Sequence, residues 1–130
     1  MSVVVGYLDR EDGHAALRSG IEEAKRRDVP LLIVHVVKVG PGGETGDTVL
    51  ETRQELERLK ADVMAQGQAC EAREVLSTGR ASEALLEVAE GADLIVIGLR
   101  NRSAVGKLIM GSVAQDILVG APCPVLAVKS

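Results

Sequence analysis

At 130 residues, with 46% hydrophobic and 26% charged residues, the chain has the size and composition of one folded domain. Tyr7 is its only aromatic residue and its net charge is −4, which argues against single-stranded nucleic-acid binding by base stacking and against coating of DNA phosphates. Cys70 and Cys123 form no CxxC pair, so a zinc or redox motif is not expected and both read as buried or half-buried thiols.

The chain opens on Val3-Val4-Val5, a short β-branched run with no basic region and long apolar stretch of the signal-peptide kind before it. A cytoplasmic location is the expectation. Leu17, Ile21 and Ala24 then recur at helical spacing. Glu11-Asp12 and Glu22-Glu23 read as solvated charges of that helix, and His14 as a solvated residue of its first turn. Leu31-Leu32-Ile33-Val34 is a second strand. The apolar run that contains it reaches only Val37 and is broken by His35, far short of a bilayer span, so no membrane is expected. His35 reads as a packing residue.

Gly40-Pro41-Gly42-Gly43-Glu44-Thr45-Gly46 is a surface loop. A second helix follows, carried by Leu56, Leu59 and Val63 and closed by Gly67, with alternating charges from Asp47 to Lys60 on its exposed face. Ala72 to Ser77 is a weaker strand, interrupted by Arg73 and Glu74 as an edge strand would be. Ala81, Ala84, Leu85 and Val88 form a third helix ended by Gly91. Leu94-Ile95-Val96-Ile97 is the fourth strand. Ala114, Ile117, Leu118 and Ala121 mark a fourth helix, with Gly120 and Pro122 as its stop, and Val125-Leu126-Ala127-Val128 the last strand.

The strand runs are continuous rather than alternating, as in strands buried on both faces. Alternating βα units imply an α/β fold with one five-stranded parallel sheet, flavodoxin-like order 3-2-1-4-5, and helices on both faces of a single domain over residues 1–130. That order leaves an apolar edge at Val125–Val128, which a second copy would cover; a homodimer through this strand is expected.

In such a sheet, ligands bind beyond the carboxyl ends of the strands where the order reverses, here between strands one and four. Gly111 admits a close backbone approach, Ser112 begins a helix whose N-terminus favours negative charge, and Arg100, Arg102 and Lys107 add positive charge. A small phosphate ligand fits this chemistry. Ser112 and Gln115 also have the spacing of a capping box, which would satisfy the helix internally; the two readings stand at equal weight. Tyr7, at the end of strand one, is placed either to pack on a ligand or to fill its space.

Asp93 to Lys129, with Gly98, Gly111-Ser112-Val113-Ala114 and Ala121-Pro122-Cys123-Pro124-Val125-Leu126, resembles the universal stress protein (UspA-like) family. Val34-His35-Val36-Val37, Thr78-Gly79 and Glu83-Ala84 extend the resemblance. It implies a homodimeric stress-response binding module, with ATP (and Mg) as ligand in some members. Those members carry G-x2-G-x9-G-[ST] after strand four and an Asp at the end of strand one. The resemblance places a nucleotide across Gly98, Gly111, Ser112 and Val113, with Val36 lining the base side and Asp9 and Arg100 near it. Asn101 stands in place of the second glycine, and an ungapped alignment puts Leu8 where the Asp belongs, Asp9 one residue later. Loss of one polar anchor costs roughly 1–3 kcal/mol, about 5- to 150-fold in affinity. The alternative is therefore a dimeric interaction module that has lost nucleotide binding. A weak hydrolase ranks last, because no general base is apparent.

Overall fold

A computed structural model describes residues 1–7, 11–100 and 110–130. Its elements run β1 (Val3–Gly6), α1 (Glu11–Arg27), β2 (Leu31–Lys38), α2 (Gly46–Ala65), β3 (Cys70–Ser77), α3 (Ala81–Val88), β4 (Leu94–Leu99), α4 (Ser112–Gly120) and β5 (Val125–Lys129). The five strands form one sheet in the order β3-β2-β1-β4-β5, and every pairing is parallel. The expected α/β architecture and strand order are both present.

Side-chain alternation explains the continuous apolar runs. Val3, Val5 and Tyr7, with Leu31, Ile33, Leu94 and Val96, pack in one core against Ala16, Leu17 and Ala24 of α1 and Leu56 and Val63 of α2. Val4, Leu32, Val34, Ile95 and Ile97 face the other way, against Leu85 of α3, Ala89 at its C-cap and Ile117 of α4. β1, β2 and β4 thus feed two cores, so both faces of each are largely apolar. β3 is an edge strand, as expected, and Arg73 and Glu71 pair with each other there. Such charges discourage strand addition at an open edge.

Helix ends follow the expected chemistry with two differences. Gly67 and Gly91 take positive φ beyond α2 and α3. α1 instead ends on Asp28, a non-glycine residue at φ 55, with the Val29 N–H donating to the Ala24 carbonyl at 3.1 Å. Gly120 is not a left-handed stop. It is the last helical residue of α4, and a Cβ on it would lie 3.1 Å from Leu86 Cδ1. The cap is Ala121, and Pro122 follows.

Two charge readings are corrected. Asp12 is buried, at 5% exposure, because α1's first turn lies against the end of β4. His14 is half-buried, its ring edge-on to Tyr7 at 5.6 Å between centroids. The rest hold: Glu23 pairs with Arg26 and Arg27 on α1, and Arg58 with Glu55 on α2. Cys70 is buried, and desolvation pushes its thiol up to about 11; burial followed by the charge of Asp93 raises the half-buried Cys123 as well. Both cysteines are free thiols.

Close packing of α1 on β1 depends on Gly20, where a Cβ would lie 2.3 Å from Val5 Cγ2. Gly20→Ala improves helix propensity by about 1 kcal/mol but overfills a close-packed interface, a cost of typically 1–3 kcal/mol. A net loss of stability in urea unfolding is expected; a variant as stable as the parent would show that α1 shifts freely on the sheet.

Candidate functional site

The carboxyl ends of β1 and β4 open into a cavity of about 430 Å³, a volume typical of small-molecule sites. Its apolar walls include Val34 and Val36 of β2, Leu85 of α3, Ile97 of β4 and Ile117 of α4. Gly6 lowers the floor: a Cβ there would stand 3.3 Å from Leu85 Cδ2. Because Gly6 faces the α3/α4 side, the next residue, Tyr7, turns its ring into the opposite core, where it is fully buried. Tyr7 borders the cavity but its ring does not fill it.

A parallel sheet with right-handed crossovers brings helix N-termini to this same edge. Three border the cavity: Asp12 and Gly13 in the first turn of α1, Ala81 at the start of α3, and Gly111 to Ala114 at α4. α1 carries Glu11 and Asp12 in its first turn and α3 carries Glu83, so each has a carboxylate near its own dipole. The first turn of α4 has no acidic residue. Its N-terminus is the one whose charge its own sequence does not offset, and Arg100 borders the same space.

The cap of α4 is Gly111, extended at φ −74 and ψ 167, whose carbonyl accepts from the Gln115 N–H at 3.1 Å. Ser112 is therefore the first helical residue, not the cap, and the capping box read from Ser112 and Gln115 does not form. In a helix, the N–H groups of the first three residues, here 112–114, have no intrahelical acceptor. α4 is held to α3 by Ser82 Oγ, which donates to Asp116 Oδ2 at 2.9 Å, with Arg80 Nη1 3.5 Å from the same oxygen.

Of the residues expected at the site, Val36, Gly98, Arg100, Gly111, Ser112 and Val113 all line this cavity. Asp9 lies outside the described residues, as do Leu8, Asn101, Arg102 and Lys107. Asp12, Gly13, Ala81 and Leu85 were not anticipated. Ala81 and Leu85 lie on the apolar stripe of α3, which reads only as core. Gly13 carried a weak signal, as a glycine within a helical segment.

The two glycines do different work. A Cβ on Gly98 would lie 2.1 Å from the carbonyl oxygen of Asp12, so glycine is required there for α1 to close the cavity wall. A Cβ on Gly111 would meet nothing within 4 Å among the described residues. Gly98→Ala is expected to lose at least about 2 kcal/mol of folding stability, and Gly111→Ala less than about 1 kcal/mol, the cost of replacing a cap residue. Equal losses in chemical denaturation would contradict this division.

Residues 1–129 match the model of the Universal stress protein family. A universal stress protein of Mycolicibacterium smegmatis is 39% identical, over 98% of this chain and 96% of its own length. The structure of a universal stress protein from Archaeoglobus fulgidus superposes with a TM-score of 0.86 at 30% identity, covering 99% of this chain and 98% of that one. A structure of the universal stress protein from Archaeoglobus fulgidus in complex with dAMP has a TM-score of 0.79 at 26% identity, with 99% and 98% coverage. The chain belongs to the universal stress protein family.

Proposed function

We propose that this protein is a stress-response binding module that takes an adenine nucleotide in the β1–β4 cavity. The observation that carries this reading is the junction of an apolar cleft with the α4 N-terminus, whose first turn bears no carboxylate. An adenine base would lie against Val34 and Val36. The phosphates would accept from the N–H groups of Ser112 and Val113, with Gly111 admitting them closely and Arg100 adding charge. Gly98 would shape the wall, and Asp9 is the candidate polar anchor from the end of strand one. The dAMP held by the Archaeoglobus fulgidus relative supports a nucleoside monophosphate core in the ligand; ATP is the larger form proposed. A magnesium ion would enter with ATP, on its phosphates.

The same reading includes a cytoplasmic homodimer paired through β5. No helix among the described residues is long and apolar enough to cross a membrane. β5 is an edge strand, and Leu126 on it is exposed together with Val113, Leu118 and Val119 of α4. An apolar edge of this kind favours pairing with a second copy. A second function, a dimeric interaction module with a lapsed nucleotide site, draws on Asn101 at the second glycine of the family motif and on Val119, 90% exposed.

Two measurements test these readings. Saturation at about 100 times Kd should add roughly 2.7 kcal/mol of stability, read as a rise in Tm with AMP or Mg-ATP. An unchanged Tm at millimolar nucleotide would favour the interaction module. Light scattering at micromolar concentration should return about twice the 13.7 kDa chain mass; a stable monomer would remove the β5 interface.

A further inference from the structure

The ladder between β1 and β2 stops one hydrogen bond early, at the wall of the cavity. β2 runs on to Lys38, but β1 pairs with it only as far as Gly6 and Val34. Backbone groups along a paired strand alternate between its two neighbours. On the β2 segment the even residues face β1: Pro30 accepts from the Val3 N–H at 3.0 Å and Val34 from the Tyr7 N–H at 2.8 Å. The odd residues face β3, with the Leu31 N–H donating to Ala69 at 2.9 Å. The next rung toward β1 would run from the Val36 N–H to the Tyr7 carbonyl, and among the described residues it does not form. One step further, the Lys38 carbonyl is taken by the Glu44 N–H at 3.3 Å. The Val36 N–H is left between them, on a half-buried residue that lines the cavity.

The Tyr7 carbonyl has a different donor. His35 is buried on the face of the sheet opposite Val36, with Nδ1 3.2 Å from that oxygen and Nε2 3.3 Å from Glu44 Oε1. A carbonyl oxygen only accepts, so Nδ1 carries the proton in this contact. The contact is the same for the neutral ring protonated on Nδ1 and for the imidazolium, so it needs no change of charge. A ring protonated on Nε2 alone would set two lone pairs against each other across 3.2 Å.

We propose that His35 is a positioning residue for the nucleotide site: its ring takes the Tyr7 carbonyl out of the ladder and so keeps the Val36 N–H open to the base of a ligand. A backbone N–H without an acceptor is costly away from water. At the cavity wall, water satisfies it before a ligand binds, and an acceptor nitrogen of the base does so afterwards. The ligand half of this inference rests on the nucleotide reading; the ladder half does not.

Amide exchange by NMR, with no ligand added, reads the ladder. In wild type the Val36 amide should exchange at least about tenfold faster than that of Val34, which is paired with β1. His35→Val releases the Tyr7 carbonyl, so the Val36 amide should gain protection by about tenfold, the effect of one hydrogen bond. Loss of a merely structural side chain would lower protection instead. His35→Gln, whose amide reaches toward Glu44 rather than Tyr7, should gain protection in the same way. His35→Asn, whose amide nitrogen falls at the Nδ1 position, should match wild type. AMP affinity by calorimetry should fall by about tenfold in His35→Val and His35→Gln and hold in His35→Asn. A wild-type Val36 amide as protected as that of Val34, or no gain in the two variants without a donor for Tyr7, overturns the assignment. Unchanged AMP affinity in those variants overturns its ligand half. A wild type that takes up no AMP overturns the nucleotide reading and the ligand half with it, and the exchange result still decides the ladder half.

Discussion

Strand β1 is paired on both edges and covered on both faces, and the position of everything else follows from that. Val3, Val4 and Val5 are completely buried, hydrogen-bonded to β2 on one side and β4 on the other. The chain leaves β1 for α1 on one face, and α3 and α4 cover the other. Because the neighbours β1 and β4 lead to helices on opposite faces, α1 and α4, the helices cannot close over the carboxyl end of β1, and a gap opens there. Gly6 keeps the gap deep, and Gly98 lets the first turn of α1 wall it. The cavity is a consequence of topology before it is a consequence of any binding residue.

Much of this was legible in the sequence because strand burial and helix period are local signals. Val3–Val5, Leu31–Val34 and Leu94–Ile97 read correctly as strands buried on both faces, and the strand order followed from the alternation of elements. Packing was less legible. Asp12 looks like an ordinary first-turn acid, and nothing nearby in sequence tells that β4 will pass beneath it. The same holds for Gly98, whose requirement comes from a carbonyl 86 positions earlier in the chain, at Asp12. The cap of α4 was misread for a different reason. Ser112 and Gln115 have the spacing of a capping box, but the helix begins one residue sooner relative to that pattern, with Gly111 as the cap.

Electrostatics distinguishes one helix end from its neighbours. Acidic residues in the first turns of α1, α2 and α3 answer their own dipoles. α4 has no such residue, and it meets the cavity beside Arg100. A negatively charged ligand would supply there what the sequence supplies at the other three ends. The apolar walls from β2, α3 and β4 suit a flat, weakly polar group next to that charge, which is the division of character found in a nucleotide.

The most direct measurement is a crystal structure of the protein grown with AMP. The phosphate should accept from the N–H groups of Ser112 and Val113, with the adenine against Val34 and Val36. A nucleotide bound elsewhere, or a cavity left without nucleotide at saturating AMP, would contradict assignment of the α4 N-terminus as the phosphate site.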